Sequence, residues 1–208
     1  SFEILKLYSI FKSGNKNRAI PQSYIPTQSF FDKIASFIRL NFFIPDSRIG
    51  WNYFAFKKAK KLIEENNINC VITTGPPHSS HLIGKKIYNK FKLKWIVDLR
   101  DPWAELFYLK NKFQFNYVKK LNLKFELDVL NNADAILTTV GNRYKTILRD
   151  KLSNTNKIYK IYNGYDKIAY DKIEEIKPDS YNIVFTGILS KNHNYQLFYE
   201  VLSLLKDK

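Results

Sequence analysis

The sequence predicts an α/β protein in which a Rossmann-like parallel sheet carries helices on both faces. Short apolar runs alternate with segments of helical periodicity over residues 70–162. These runs are almost continuously apolar, as expected of strands that are buried on both sides. Turns containing glycine, proline or asparagine separate them. Strand–helix alternation of this kind is typical of parallel sheets with right-handed crossovers.

Two helices are predicted ahead of the sheet. Apolar side chains keep helical spacing over Phe30–Phe42, and Pro45 ends that element. A second helix is predicted over 51–66, with apolar residues on one side and lysines on the other. The aromatic segments 2–11 and 30–43 fit two interpretations, as core helices or as a surface that docks on the inner leaflet of a membrane.

Four strands and the helices between them are predicted next. The strands cover 70–74, 95–99, 135–140 and 158–162, and the helices cover 79–91, 115–130 and 142–152. After Asp166 a charged segment runs to Pro178, which indicates a linker over 167–180. A new apolar run at 181–186 and a helix over 194–205 predict the first βα unit of a second domain. The predicted domains are therefore 1–166, incomplete at its start, and 181–208.

Composition limits the class of protein. Cys70 is the single cysteine, so we expect neither a disulfide framework nor a thiolate metal cluster, and a reducing cytoplasmic setting fits. No apolar stretch approaches the ~20 residues that span a bilayer, which leaves peripheral contact with an anionic inner membrane as the closest association expected. The net charge of +15 fits a solvated basic surface, attraction to anionic lipid or attraction to nucleic acid. Because no nucleic-acid recognition motif accompanies the charge, no nucleic-acid partner is predicted.

Ligands of open parallel sheets bind beyond the carboxyl ends of the strands, and the first predicted strand ends in the polar sequence TTGPPHSSH. Gly75 and the two prolines after it set a fixed turn, and Ser79 or Ser80 is suited to cap the next helix. A helix N-terminus with free amides favours an anion or a hydroxyl group as ligand. The sequence therefore predicts a ligand-binding turn here.

The two histidines of this turn have more than one interpretation. His78 and His81 are three residues apart and can share one helix face. Either one of them packs or caps while the other lies on the surface, or His78 contacts a substrate. A metal site is disfavoured because no third ligand follows nearby.

The second predicted strand ends in DLRDPW. Alternation along the strand places Asp98 and Arg100 on one face and Leu99 on the other. Asp101 can orient a hydroxyl group or accept its proton, and Arg100 can bind a phosphate or carboxylate in bidentate fashion. The charged residues can equally form a structural ion pair. Trp103 can stack on a sugar ring or pack beneath the loop.

Several signatures of other enzymes are absent. The sequence has no dinucleotide-binding glycine fingerprint, no Walker loop, no Gly-x-Ser-x-Gly elbow and no zinc motif. Nicotinamide dehydrogenases, P-loop kinases and serine hydrolases are therefore not expected.

An ordered set of segments resembles the glycosyltransferase group 1 / family 4 enzymes, in particular a bacterial subgroup of surface polysaccharide assembly. The matching segments are 41–51 (NFFIPDSRIGW), 74–82 (TGPPHSSHL), 95–103 (WIVDLRDPW), 132–135 (NADA), 162–166 (YNGYD) and 185–187 (FTG). The resemblance covers about residue 39 to the end. It implies a GT-B architecture of two Rossmann-like lobes, with the acceptor on the first lobe and the nucleotide-sugar donor on the second.

The resemblance also implies an activity and its residues. Transfer in this family retains the anomeric configuration and requires neither a metal nor another cofactor. The pair Arg100 and Asp101 falls where many members carry His-Asp, which makes these the candidate catalytic residues. The implied acceptor-binding residues are Gly75, His78, Ser79, His81, Asp98 and Trp103. The implied donor-side residues are Gly164, Gly187 and Lys191.

The resemblance further implies that a first strand and a glycine-rich loop precede residue 1, and that the rest of the donor lobe follows residue 208. On that basis we expect no transfer by this chain alone. The expected partners are a nucleotide-sugar donor and a saccharide or lipid-linked acceptor. The alternative from another class is a non-catalytic α/β binding or docking module.

Overall fold

The computed structural model describes residues 30–104, 109, 112–139, 141–171, 182–187 and 194–205. The chain divides into two compact units, Ser1–Gly164 and Tyr165–Lys208. The aromatic segment 2–11 and the predicted donor-side residue Lys191 lie outside the described residues.

The first unit contains a parallel four-stranded sheet in the order β1-β2-β3-β4. Its strands are β1 (Cys70–Gly75), β2 (Lys94–Leu99), β3 (Ala135–Thr138) and β4 (Ile158–Lys160). Thr74 pairs with Asp98, and Asp98 pairs in turn with Leu137. The α/β class and the parallel sheet predicted from strand–helix alternation are therefore confirmed, with strand ends that shift by one or two residues.

Helices precede the sheet and connect its strands. They are α1 (Phe30–Phe42), α2 (Asn52–Glu65), α3 (Ser79–Phe91), α4 (Asn116–Asn132) and α5 (Asn142–Asp150), with a short 3-10 turn at Ile49–Trp51. Helix α3 packs on β1 and β2, α2 packs on α3, and α5 packs on β4. Among the described residues, each helix is too short or too polar to cross a bilayer.

The core lies on the face of β2 that carries Trp95, Val97 and Leu99, each at most 1% exposed. Alternation along the strand explains why these three face the same way. Helix α3 approaches this face at Gly84, where a Cβ atom would collide with the indole of Trp95. A glycine in the middle of a helix costs about 1 kcal/mol relative to alanine, and here it allows the close contact between helix and strand.

Apolar spacing did not predict burial in every helix. The large apolar residues of α1 are exposed, and the residues buried from this helix are Asp32, Ser36 and Asn41. The core-helix interpretation of 30–43 is therefore wrong for Phe30, Phe31, Phe37 and Phe42. In α4, Val118 and Val129 are buried as predicted, but Phe115 precedes the helix and is 43% exposed.

The second unit contains two described helices, α6 (Lys167–Tyr170) and α7 (Tyr195–Leu205). The Asp166 side chain accepts a hydrogen bond from the Ala169 amide and caps α6, which begins inside the predicted linker. Residues 182–186 form no strand in the described part of the chain, because no second strand pairs with them there. Helix α7 agrees with the predicted helix, and the proposed division into lobes stays a prediction.

Candidate functional site

A cavity of about 460 Å³ lies at the carboxyl ends of β1 and β2. Its walls come from the end of α1 and the loop after it, the β1–α3 loop, the β2–α4 loop and the first turns of α4. This edge of a parallel sheet is where such folds bind ligands. Of the residues predicted from sequence, His78, Asp101 and Trp103 line the cavity.

Asp46 lines the cavity, although no role was predicted for it beyond membership of a matching segment. Its Oδ2 accepts from the Ser79 amide at 2.7 Å, and its Oδ1 accepts from the Ser79 hydroxyl at 2.9 Å. Oδ1 also accepts from the Arg48 amide at 2.9 Å. The carboxylate thus caps α3 from a loop 33 residues earlier in the chain. A negative group at this position is stabilised by the helix dipole.

This cap corrects two expectations about the β1–α3 turn. Neither serine caps the helix in the expected way, since Ser79 donates to Asp46 and Ser80 donates to the Thr74 carbonyl at 2.6 Å. The amides of Ser79, Ser80 and His81 are all engaged, the last two with the carbonyls of Pro77 and His78. The N-terminus of α3 is therefore occupied by the protein's own carboxylate, and these amides are not free for an anionic ligand.

His81 is fully buried behind the cavity in a structural hydrogen-bond chain. The Trp95 indole donates to Thr73 Oγ1 at 2.9 Å, and the same hydroxyl lies 2.9 Å from His81 Nδ1. Because the indole can only donate, Thr73 Oγ1 accepts from it, and the same hydroxyl joins Trp95 to the His81 ring. Burial, with a smaller effect from His78, lowers the pKa of His81 from 6.5 to about 3. The ring is therefore neutral. Its complete burial agrees with the interpretation in which one of the two histidines packs inside the protein.

His78 connects the two ligand-side loops. Its Nε2 donates to the Pro102 carbonyl at 3.2 Å, since a carbonyl can only accept. Its ring stacks on Trp103 with centroids 4.9 Å apart and an interplanar angle of 9°. Burial lowers the pKa of His78, with opposing contributions from Asp46, the Pro102 carbonyl and Asp101. Trp103 is 3% exposed. Of its two predicted roles, stacking on a sugar ring and packing beneath the loop, the burial supports the second.

The remaining ring nitrogens of the two histidines meet at Gly75. Neither His78 Nδ1 nor His81 Nε2 has a hydrogen-bond partner within the described residues. A Cβ atom on Gly75 would collide with His81 Nε2 and would lie 3.0 Å from His78 Nδ1. Gly75 is thus required by packing, and its acceptor-binding role stays a prediction.

Asp101 and three residues in or next to α4 contribute polar groups to the cavity lining. Asp101 is exposed, and its carbonyl accepts from the Tyr144 hydroxyl at 3.4 Å. Gln114, Lys119 and Asn122 face the same space. Sequence reasoning missed these three, because they lie inside or next to a helix whose apolar positions alone were interpreted.

The β2–α4 loop is pinned to α1 by an amide side chain. Asn41 donates from Nδ2 to the carbonyls of Phe37 at 2.9 Å and Phe113 at 3.3 Å, and its Oδ1 accepts from the Phe115 amide at 2.8 Å. Gln114 also donates to the Leu40 carbonyl at 3.3 Å. These long-range bonds fix the cavity wall, and sequence spacing gave no signal for them.

Other predicted site residues lie apart from this cavity. Asp98 is half-buried within β2, and the Arg100 side chain is exposed, and neither residue lines the cavity. The Arg100 amide donates to the Gly75 carbonyl at 3.1 Å, which ties together the ends of β1 and β2. Gly164 is exposed after β4 in the first unit. Gly187 belongs to the second unit and has a positive φ of 154°.

The geometry defines a Rossmann-like α/β protein with a mixed polar and apolar cavity at the carboxyl edge of its sheet. Among the described residues, no three histidine, cysteine or acidic side chains converge in a way that could hold a metal ion. No family model, curated protein or solved structure matches this chain.

Proposed function

We propose that this chain forms the acceptor-side lobe of a retaining, metal-independent glycosyltransferase, followed by the opening of its donor-side lobe. The observation that carries the proposal is the cavity at the carboxyl ends of β1 and β2, which has the exposed Asp101 on its wall. Its volume of about 460 Å³ falls within the ~300–1,000 Å³ of small-molecule sites. The ordered motif resemblance supplies the reaction class.

In this proposal Asp101 accepts a hydrogen bond from the acceptor hydroxyl that attacks the donor sugar. A carboxylate can orient such a hydroxyl and take its proton as the new glycosidic bond forms. Gln114 and Asn122 offer amide groups that suit sugar hydroxyls, and Leu40 and Leu123 supply apolar surface to the same cavity. The chemistry of the lining thus suits a saccharide.

His78 is a positioning residue in this proposal. Its Nε2 is committed to the Pro102 carbonyl, and its Nδ1 lies against Gly75. It therefore holds the loop that carries Asp101 and does not act as the base. Many enzymes of the family that this chain resembles carry a His-Asp pair, and Arg100 stands here in place of that histidine. In this proposal Asp101 therefore works without a histidine as base.

The donor side is assigned from the resemblance alone. Gly164, Gly187 and Lys191 are proposed to face a nucleotide-sugar donor, whose diphosphate charge would be carried by backbone amides and basic side chains. Arg100 is proposed to act together with Asp101, since a guanidinium can contact phosphate.

Saturation-transfer NMR tests the acceptor assignment. The probes are the methyl glycosides of glucose, galactose, mannose and N-acetylglucosamine, added one at a time to the chain. We expect at least one to bind, and Asp101→Asn to weaken that binding about tenfold, while Asp150→Asn, an exposed control on α5, leaves it unchanged. If none of the glycosides binds, the non-catalytic docking module replaces the transferase.

A further inference from the structure

Helix α1 has its polarity reversed relative to an ordinary surface helix. Asp32, Ser36 and Asn41 are 1%, 6% and 5% exposed and face the protein. The exposed large side chains of the same helix are Phe30, Phe31, Ile34, Phe37, Ile38 and Phe42. A surface helix normally buries its apolar side, so this helix presents to its surroundings the side that should be covered.

The apolar surface of α1 continues onto the segment that precedes α4. The Phe37 ring lies 5.9 Å from Phe113, 5.7 Å from Phe115 and 6.3 Å from Phe42, measured between ring centroids. Phe42 and Phe113 are 66% and 64% exposed. We call these four phenylalanines the aromatic patch. Its two halves are held together by the Asn41 hydrogen bonds to residues 113 and 115.

The exposed charges on α1 and α4 are all positive. Each acidic side chain of these helices is buried or paired: Asp32 and Glu126 are at most 1% exposed, and Asp128 pairs with Lys85. Glu126 also accepts from Lys151 at 2.9 Å. The lysines exposed on the same two helices are Lys33, Lys119, Lys120 and Lys124. The exposed charged side chains of α1 and α4 are therefore all basic, and α1 carries both Lys33 and part of the aromatic patch.

We propose that the aromatic patch docks this protein on an anionic lipid bilayer. Phenylalanine and isoleucine side chains can enter the boundary between headgroups and acyl chains, while lysines beside them attract anionic headgroups. An exposed patch of this kind marks an interaction surface, and its charge selects a negatively charged partner. The proposal does not depend on the proposed transferase, because docking needs neither donor nor acceptor.

Charge disfavours two other occupants of the patch, a second copy of the chain and its own N-terminal segment. A second copy of the chain would place the same lysines opposite each other across a symmetric interface. Residues 1–29 of this chain contain four basic residues, Lys6, Lys12, Lys16 and Arg18, against the single acidic residue Glu3. Nucleic acid would match the charge, but the isoleucines that extend the patch along α1 offer nothing to stacked bases.

Docking would bring the cavity to the lipid surface. Arg39 and Leu40 of α1 and Lys119 of α4 line the cavity, and the aromatic patch lies on α1 and on the segment just before α4. Taken together with the proposed function, docking therefore favours a lipid-linked acceptor over a free saccharide.

Vesicle flotation tests the proposal with the full chain. The probes are vesicles of phosphatidylcholine alone and vesicles in which about one third of the lipid is phosphatidylglycerol. We expect binding to the anionic vesicles that weakens as salt is raised. Phe42→Ser combined with Phe113→Ser, and separately Lys120→Glu combined with Lys124→Glu, should each weaken it at least tenfold. Tyr162→Ser, which removes an aromatic ring that is 71% exposed after β4, should leave it unchanged.

Circular dichroism of each variant shows whether it folds, and a variant that does not fold is replaced by Phe42→Ser alone. Three results would overturn the proposal. The first is a chain that stays unbound with both kinds of vesicle. The second is a folded patch variant that binds as tightly as the parent. The third is a chain that dimerises or binds single-stranded oligonucleotide through the patch, while it ignores vesicles.

Discussion

The His78 ring lies parallel to the Trp103 indole with centroids 4.9 Å apart, and this stacking joins the loop after β1 to the loop after β2. The hydrogen bond from His78 to the Pro102 carbonyl reinforces the same connection. Asp101 lies immediately before these contacts in the chain. The position of the proposed catalytic carboxylate therefore depends on His78, to which the proposal gives a positioning role.

Replacing His78 should separate its stacking from its hydrogen bond. His78→Phe keeps an aromatic ring against Trp103 and loses the bond to Pro102, so we expect a loss of about 1 kcal/mol in the free energy of unfolding. His78→Ala removes both contacts and opens a cavity, with an expected loss of about 3 kcal/mol. Urea unfolding measures both values. Equal stabilities of the two variants would show that the stacking contributes nothing.

Asp46→Ala should destabilise the protein by about 2 kcal/mol, because it leaves the buried Ser79 amide and hydroxyl without a partner. Asp46→Asn keeps an acceptor oxygen and should cost less. Glu65→Ala is the control, since its ion pair with Lys61 at 3.5 Å is exposed and such pairs contribute under about 1 kcal/mol. Unfolding midpoints in urea that match for Asp46→Ala and Glu65→Ala would contradict the assigned cap.

The fold was predictable because its main signals are local. Alternation of apolar runs and helical segments gave β1 to β4 and α3 to α5, and the bounds of α3 agree at both ends. The burial of α1 was not predictable, since helical spacing shows that one side is apolar but not which side faces the protein. That orientation is fixed by long-range bonds such as those from Asn41 to Phe113 and Phe115.

The site was also predictable in part, because some of its signals are local. Polar residues at strand ends identified His78, Asp101 and Trp103, because carboxyl ends of parallel strands share one edge. The stacking of His78 on Trp103 was not predictable, since the two rings come from loops that follow different strands. The capping role of Asp46 was not predictable, because its partner Ser79 lies 33 residues away. A local signal for a turn did exist, since the Asp46 side chain accepts from the amide of Arg48 two residues later.

Gly75→Ala should destabilise the protein by about 2–3 kcal/mol, because the added methyl group meets both imidazole rings. Gly50→Ala is the matched control, since a Cβ there has nothing within 4 Å, and we expect it to change stability by less than about 1 kcal/mol. Thermal unfolding compares the two. A tolerated Gly75→Ala variant would mean that the histidines do not press on this position.

Stability should fall as the pH drops below about 6.5. The pKa of His81 is about 3 in the folded protein against an ordinary value of 6.5, so the unfolded chain binds more protons across this interval. Between pH 7 and pH 5 the expected loss from His81 is about 2 kcal/mol, and the lowered pKa of His78 acts in the same direction. Carboxylates stay largely ionised over this range. Urea unfolding at the two pH values measures the loss.

An independent measurement follows the imidazole protons of His81 by NMR. These signals should not shift between pH 8 and pH 5, because the ring stays neutral. A His81 signal that titrates near pH 6.5 would show that the ring is accessible to water, and the pH dependence of stability would then need another cause.

The most direct test of the central claim, that this cavity holds a saccharide acceptor, uses the three tryptophan indole signals in a ¹⁵N–¹H spectrum. Trp103 lines the cavity, Trp95 lies in the core, and Trp51 is 49% exposed and does not line it. Adding a methyl glycoside that binds should shift the Trp103 indole and leave the other two in place, and Asp101→Asn should reduce the shift. If Trp51 moves instead, or if Trp103 stays fixed while the sugar binds, the cavity is not the acceptor site.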